Sequence, residues 1–199
     1  MAYRSASSFG AARRAVDADQ QVLTGAECLA LEPALRLPAS ALAGGIYTAS
    51  EQVGDCGAFC DGLAAQLRNR NTVGWHMGVA AEPVLRDGRL AAVRAGDAVI
   101  EADAFVLALG AGAAAFARRA GLRLPVYPMK GYSLTLRPRT PAAALQHSVT
   151  DADRKVVFAP LERGGEALIR VAGIADMVGH DRGLDPARLD AVRRAARDA

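Results

Sequence analysis

Residues 104–112 read Ala-Phe-Val-Leu-Ala-Leu-Gly-Ala-Gly, and this stretch says most about the fold class. Its first six residues form an unbroken apolar run that is too short for a typical helix. Such a run predicts a strand buried on both faces, as in a parallel sheet. The two glycines then predict a tight turn, because glycine adopts backbone angles that other residues avoid. With a helix predicted over residues 113–120, the stretch indicates an α/β fold.

The segments before this run predict two helices and a set of strands. Thr24 and Glu27 have the spacing of a capping box, which starts a short helix that ends before Glu32. Asp55 caps a second helix over residues 56–70. Strand patterns predict an antiparallel meander with a hairpin turn at residues 86–89. The predicted strands cover residues 43–48, 74–79, 80–86, 90–95 and 98–101.

The helix predicted over residues 56–70 carries apolar side chains at one-turn spacing, and this predicts one buried face. Cys56 and Cys60 lie one turn apart. With no further Cys or His pair nearby, both thiols are predicted to face the core and not to bind metal. The third cysteine is Cys28, and an odd number is typical of a reducing compartment. The predicted buried face consists of Phe59, Leu63, Ala64 and Leu67.

The second half of the chain predicts three further strands, at residues 131–136, 155–159 and 167–172. Asp185 followed by a proline predicts a last helix, which runs into the end of the sequence. Residues 1–22 lack a clear period and are predicted to be a poorly defined arm. The whole pattern predicts a mixture of α/β and α+β structure.

Composition excludes several classes of protein. The net charge is +3 and the hydrophobic fraction is 51%, which is enough to form a core. The basic residues are spread along the chain, so no nucleic-acid partner is expected. The stretch without charge at residues 104–117 is shorter than the roughly 20 residues of a membrane span. With no signal-peptide pattern at the start, the sequence predicts a cytoplasmic protein.

Two stretches could carry chemistry, and for each a purely structural interpretation stays open. The backbone of the Gly110–Gly112 turn before a helix could approach a ligand. The turn could also serve packing alone, because the full G-x-G-x-x-G dinucleotide fingerprint is absent. Lys130 lies between Tyr127 and Tyr132 and could present a cation and two phenols to one ligand, or form a solvated strand edge. No catalytic triad and no metal-ligand spacing is predicted around His76, His147 or His180.

Six collinear blocks of this sequence resemble the FAD-dependent amine and amino-acid oxidoreductases related to D-amino acid oxidase. Within that family the resemblance is strongest to the small subunit of bacterial D-amino acid dehydrogenase. It covers roughly residues 20–199, and the Tyr-Pro-x-Lys-Gly-Tyr-Ser-Leu block is the most specific. The blocks lie at residues 32–35, 44–47, 51–56, 102–110, 125–134 and 170–179.

The resemblance implies FAD as cofactor, a D-amino acid as substrate, and oxidative deamination to a 2-oxo acid and ammonia. It also implies a partial FAD-binding Rossmann-like domain at residues 23–125 and part of an antiparallel-sheet substrate-binding domain at residues 126–199. The implied cofactor-binding residues are Val79, Ala108, Leu109, Gly110 and Ala111. The implied substrate-binding residues are Tyr47, Lys130 and Tyr132, with Lys130 and Tyr132 tuning the flavin or lining the pocket and no general base assigned.

The sequence also departs from the family. The FAD-gripping glycine unit and the segment with the carboxylate-binding arginine are both absent, so the chain is expected to be an internal part of such an enzyme and inactive alone. Asp176 and Arg154 replace residues that are more often Glu and aromatic. A non-catalytic remnant or interaction module, and a glycine or sarcosine oxidase type of enzyme, remain alternatives. The expected partners are a complementary chain or a membrane-associated electron acceptor, the latter at the inner face of the bacterial membrane.

Overall fold

The computed structural model describes residues 1–198. It contains ten strands and five α-helices in this part of the chain. The strands are β1 (Ala2–Tyr3), β2 (Gln20–Leu23), β3 (Gly44–Thr48), β4 (Ala81–Arg86), β5 (Arg89–Ala95), β6 (Ala98–Glu101), β7 (Lys130–Leu136), β8 (Val149–Asp151), β9 (Val156–Arg163) and β10 (Glu166–Asp176). The helices are α1 (Ala6–Ala12), α2 (Gly25–Leu31), α3 (Cys56–Asn69), α4 (Ala113–Arg119) and α5 (Pro186–Arg197).

The chain divides into two compact units. Unit 1 consists of residues 1–60, 130–176 and 182 onward, and unit 2 consists of residues 61–129 and 177–181. Unit 1 is built on a seven-stranded sheet with the strand order β2-β3-β1-β8-β9-β10-β7. The pair β1–β8 is parallel and the other neighbours are antiparallel. The predicted mixture of helices and strands with an antiparallel sheet is therefore confirmed.

Helix α5 covers one face of the unit 1 sheet. Val171 of β10 pairs with Phe158 on one side and Leu134 on the other, and side chains opposite each other across an antiparallel pair share a face. This face is apolar and excludes water at its centre. The core residues are Tyr132, Val156, Phe158 and Val171 from the sheet, with Val192 and Ala195 from α5. Asp185 starts α5 as predicted, because its carboxylate accepts the backbone N–H groups of Ala187 and Arg188.

Unit 2 contains the predicted meander. Strands β4, β5 and β6 form a three-stranded antiparallel sheet. Asp87 and Gly88 form the predicted hairpin turn and have φ angles of 50° and 73°. Helix α4 follows the glycine turn as predicted, and Arg119 at its end forms an ion pair of 3.0 Å with Glu82 of β4.

The prediction of a buried strand at residues 104–109 is wrong. None of these residues belongs to a strand, and the side chain of Val106 is 92% exposed. The nearest strand in the chain, β6, pairs only with β5 among the described residues. An apolar run becomes a two-faced buried strand only where neighbouring strands accept its backbone hydrogen bonds, and unit 2 as described provides none. The strand predicted at residues 74–79 is also absent.

Helix α3 forms as predicted, but its apolar face is not buried. Phe59 is 71% exposed and Leu63 is also exposed. Cys56 and Cys60, predicted to face the core, are exposed as well, whereas Cys28 is buried. Helical periodicity predicts which side chains share a face, but burial needs a second element against that face.

Residues 1–22 differ from the poorly defined arm that was expected. They contain β1, α1 and the start of β2, and β1 lies inside the sheet between β3 and β8. Ala2 and Tyr3 are both buried. Two strand residues are too short a pattern to detect in a sequence. The functional division into residues 23–125 and 126–199 stays a prediction.

Candidate functional site

The residues expected to contact FAD lie in unit 2 and outside its strands. Val79 belongs to the irregular segment before β4 and is exposed. Residues 108–111 connect the apolar segment to α4, and Gly110 has a φ angle of 51°. The backbone turns here, because the N–H of Gly112 donates to the carbonyl of Leu109 at 3.0 Å. A side chain added at Gly110 would meet open space, so this turn leaves room for a ligand.

An apolar cavity of about 230 Å³ lies beside the same segment, between residues 105–109, α4 and the meander. Phe105, Leu107 and Leu109 line it from one side, and Phe116 of α4 lines it from another. Apolar side chains of this kind fit the ring systems of FAD. The diphosphate of FAD instead needs N–H donors or cations. In α4 the two arginines lie in the last turn, away from the glycine turn, so the described residues fit the rings and provide no cradle for the diphosphate.

Lys130 and Tyr132 share one face of β7, the edge strand of the unit 1 sheet. The Lys130 Nζ lies 5.7 Å from the centroid of the Tyr132 ring and donates to the carbonyl of Gly183 at 2.6 Å. Tyr132 is only 3% exposed, and its hydroxyl has no hydrogen-bond partner among residues 1–198. Its ring belongs to the core beneath α5. The tyrosine therefore packs the sheet against the helix in this structure.

The opposite face of the same strands carries polar groups that the sequence did not single out. Arg170 of β10 pairs with Thr135 and Ala159, and the next residue on this face, Ala172, pairs with Ser133. The Nη2 of Arg170 donates to the Ser133 hydroxyl at 3.0 Å. Both residues lay inside blocks that carried the family resemblance, but only the register of three strands shows that they face each other.

Tyr47 of β3 lines a second cavity, of about 50 Å³, within unit 1. Its ring lies edge-on to the His147 ring, with 5.8 Å between centroids and 85° between planes. Glu32 lines the same cavity and is 2% exposed. Burial raises the pKa of the Cys28 thiol, which also faces this cavity, so the thiol stays protonated. The cavity has room for a few water molecules and not for an amino acid.

Glu32 is a buried charge that the sequence reasoning missed. Its carboxylate accepts the N–H of Ala34 at 3.2 Å and the N–H groups of Gln146 and His147, each at 2.8 Å. The His147 Nδ1 is buried at 3.6 Å from the same carboxylate. In the sequence, the only signal at this position is the Glu-Pro pair at the end of α2. That pair is equally typical of a helix end and does not indicate a buried carboxylate.

The structure does not bring the three expected substrate residues together. Tyr47 lies on β3, and Lys130 and Tyr132 lie on β7, at the other end of the strand order. Five strand spacings of about 4.8 Å separate these strands, or roughly 24 Å. An amino acid is too small to touch both positions at once.

Comparison with known proteins gives the same family for the whole chain. The sequence family described as FAD dependent oxidoreductase matches residues 2–199. D-amino acid dehydrogenase 2 of Pseudomonas aeruginosa is 45% identical over 201 residues, which is 100% of this chain and 47% of that protein. D-amino acid dehydrogenase of Paramagnetospirillum magneticum is 42% identical over 176 residues, which is 86% of this chain and 40% of that protein. The chain thus spans about half the length of the curated relatives it matches.

Two solved structures share the fold. L-proline dehydrogenase from P. horikoshii matches with a TM-score of 0.77 at 13% identity, over 98% of this chain and 54% of that chain. Glycine oxidase from Bacillus cereus matches with a TM-score of 0.66 at 15% identity, over 96% of this chain and 51% of that chain. At such identities the likeness concerns the fold.

Among residues 1–198, no helix is long and apolar enough to cross a membrane. No group of three or more His, Cys, Asp or Glu side chains in the same residues is placed to hold a metal ion.

Proposed function

Since the chain belongs to the family of FAD-dependent oxidoreductases, we propose that it is part of an enzyme that oxidises D-amino acids to 2-oxo acids and ammonia. The observation that carries the proposal is similarity along the entire chain to proteins named D-amino acid dehydrogenase, at 45% identity over 201 residues in one case. The collinear blocks of the sequence predicted this family.

FAD supplies the redox chemistry when bound, by accepting a hydride from the substrate carbon that carries the amino group. The residues of this chain would bind the cofactor and orient the substrate. We assign the cofactor contacts to Val79, Ala108, Leu109, Gly110 and Ala111, supported by the open space at Gly110 and the apolar cavity next to this segment. With no diphosphate cradle among the described residues of unit 2, this contact is to the rings of the cofactor.

The expected substrate contacts at Tyr47, Lys130 and Tyr132 remain proposals. The structure gives more support to the two residues on β7 than to Tyr47. Lys130 keeps a charged amine at the start of β7, and Tyr132 holds that strand on α5. Tyr47 lies about 24 Å across the sheet, or five strand spacings. We therefore propose that a small amino acid bound at β7 does not contact Tyr47.

The location and the electron acceptor are also proposals. Three free cysteines, two of them exposed, suit a reducing cytoplasmic environment. A membrane-associated acceptor at the inner face of the bacterial membrane would take the electrons, and a complementary chain is the other proposed partner. A glycine oxidase type of substrate is the second candidate, because a protein of that name shares the fold at a TM-score of 0.66.

Flavin binding is the first test. The purified chain is mixed with FAD, and the flavin absorbance band and fluorescence are followed. Structured absorbance with quenched fluorescence is the expected result. Gly110→Val should weaken it, because a branched side chain would occupy the open space and would oppose the positive φ angle. Gly62→Val on exposed α3, where an added side chain also meets open space, is the matched control.

Substrate turnover is the second test. A chain that binds FAD is supplied with D-alanine, glycine or sarcosine and an artificial electron acceptor. Reduction of the acceptor with D-alanine but not with glycine or sarcosine supports the proposal. Reduction with glycine or sarcosine but not with D-alanine supports the second candidate. A folded chain that binds no flavin would reject activity for this polypeptide and favour the non-catalytic remnant.

A further inference from the structure

A cavity of about 310 Å³ lies in unit 1 between α5 and the sheet. Val156 of β9 and Ile174 of β10 line it from the sheet, and Ala191 and Ala195 line it from α5. Val156 and Ala195 also belong to the core beneath α5. The cavity is therefore an apolar opening at the edge of a packed core. None of the residues proposed to contact FAD or the substrate lines it.

The backbone of β10 is irregular where it borders this cavity. The register of β10 against β7 shifts between Gly173 and Ala175, and Ile174 between them has a φ angle of 62°. A β-branched residue rarely adopts a positive φ angle, and such a conformation persists only where the surrounding structure holds it. A bulge of this kind changes the direction of a side chain. Here Ile174 both packs against the core and lines the cavity.

Two arginines from different segments line the same cavity. Arg154 lies in the turn between β8 and β9, and Arg194 lies in α5. The Arg154 Nη2 is 3.1 Å from the Asp198 carboxylate, and its backbone N–H donates to the carboxylate of Asp151 at 3.0 Å. Asp151 is only 5% exposed. The turn that carries Arg154 is therefore fixed on a buried acid.

Arg194 differs from Arg154, because it has no ion-pair partner among residues 1–198. The acids one helical turn before and after it are Asp190 and Asp198. Asp190 pairs with Arg193 at 2.9 Å, and Asp198 pairs with Arg154 at 3.1 Å. A guanidinium carries five N–H donors and no acceptor. The donors of Arg194 are therefore available to an anion in the cavity.

The lining residues define the kind of anion that would fit. Two guanidiniums against the one carboxylate of Asp198 leave a single net positive charge, which favours a monoanion over a dianion. A carboxylate matches a guanidinium through two parallel hydrogen bonds. The apolar walls match an alkyl chain, whereas the ammonium of an amino acid would be desolvated there without a partner. A volume of about 310 Å³ is within the range of small-molecule sites.

We propose that this cavity binds a carboxylate with an unbranched alkyl chain. Arg194 and Arg154 contact the carboxylate, and the chain lies against Ile174 and Ala191. The inference concerns a second ligand, different from the cofactor and the amino-acid substrate, and goes beyond the proposed function.

Isothermal titration calorimetry of the purified chain with octanoate tests the inference without flavin. We expect saturable binding of octanoate. Octanol lacks the carboxylate, propionate lacks the long chain, and D-alanine lacks the chain and adds an ammonium. Each of the three should bind at least about tenfold more weakly than octanoate, because each loses one part of the match.

Arg194→Gln should weaken octanoate binding by about tenfold, because a charge-assisted hydrogen bond is lost. Arg193→Gln is the matched control, since it removes the same charge from the neighbouring position of α5 but lies outside the lining. It should leave octanoate binding unchanged. Ala191→Leu should also weaken binding without any change in charge, because the larger side chain takes the place of the alkyl chain. Circular dichroism verifies that each variant is folded.

Asp198→Asn should strengthen octanoate binding several-fold, because the carboxylate that competes for Arg154 is removed. A folded chain with no saturable octanoate binding overturns the inference, as does octanol binding as tightly as octanoate. Equal losses in Arg194→Gln and Arg193→Gln also overturn it, since they would show a general effect of charge. Because no flavin or turnover is involved, failure of this site and failure of the proposed function are separate results.

Discussion

The Glu32 carboxylate joins two segments that are far apart in the chain. It lies at the end of α2 and accepts backbone N–H groups of Ala34, Gln146 and His147, the last two from the segment before β8. A buried carboxylate is tolerated only when its oxygens are satisfied, as they are here. The N–H groups depend on it in turn, because they too are withdrawn from water.

Glu32→Gln should destabilise the chain by about 2–4 kcal/mol. The amide has nearly the same shape, but its NH2 group would meet N–H donors where an oxygen now accepts them. Urea denaturation measures the loss. Glu162→Gln is the control, since Glu162 is exposed on β9 and should change the free energy of unfolding by less than about 0.5 kcal/mol. Equal effects of the two substitutions would contradict the anchoring role of Glu32.

Asp153 gives the chain a dependence on acid pH. The Ser8 hydroxyl donates to its carboxylate, as do the backbone N–H groups of Ser5 and Arg4, and these bonds lower its pKa below the usual 3.8. A depressed pKa contributes stability that is fully present above 3.8 and is lost as pH falls through the lower folded value. Asp153→Asn should therefore be less stable than wild type near pH 7, and the difference should shrink below about pH 3. Denaturation at both pH values measures it, and a constant difference would contradict the assignment.

At the scale of elements, local signals determine the hairpin between β4 and β5. Asp87 and Gly88 occupy the turn with positive φ angles, which match the right-handed twist of the flanking strands. Helix α3 contains Gly62, where the backbone has ordinary helical angles and nothing lies near an added side chain. The same substitution should have opposite effects in these two elements.

Gly88→Ala should lower the free energy of unfolding by about 1 kcal/mol, because the methyl group opposes a φ angle of 73°. Gly62→Ala should raise it by about 0.5–1 kcal/mol, because alanine loses less backbone entropy in a helix. Thermal denaturation of both variants compares them directly. Changes of the same sign would show that α3 or the hairpin is not formed as described.

At the scale of the whole molecule, burial is concentrated in the cores of unit 1. Val171 is fully buried between α5 and the sheet, whereas Val106 in unit 2 is 92% exposed. Exposed apolar residues of this kind are typical of surfaces that meet a ligand or another segment. The two valines should respond differently to loss of their methyl groups.

Val171→Ala should cost about 2–3 kcal/mol, from the lost transfer free energy and the cavity left behind. Val106→Ala should change the free energy of unfolding by less than about 0.5 kcal/mol, because its side chain contacts little besides solvent. Guanidinium denaturation of the two variants gives the comparison. A large loss in Val106→Ala would contradict the exposure of residues 104–109.

Features that depend on neighbouring residues were predictable from the sequence, and burial against distant segments was not. Thr24 and Glu27 predicted a capping box, and the structure contains both of its hydrogen bonds. Asp55, the 86–89 turn and Asp185 were equally predictable, since each depends on groups within about four residues of each other. Phe59, Cys56 and Val106 were predicted to be buried and are exposed. Their burial depended on partners that periodicity cannot reveal.

The sequence by itself determined the family, the local ends of helices and turns, and the alternation of residues along β7, β9 and β10. These features arise from short-range hydrogen bonds and from the two-residue repeat of a strand. Only the tertiary structure decided which face of the unit 1 sheet α5 covers, and so which neighbour in the Tyr132-Ser133 pair is buried. It also brought Ser133 to Arg170 and Glu32 to His147. Such pairings depend on how segments far apart in the chain are aligned with each other. Their contacts stabilise the fold only when those segments pack together.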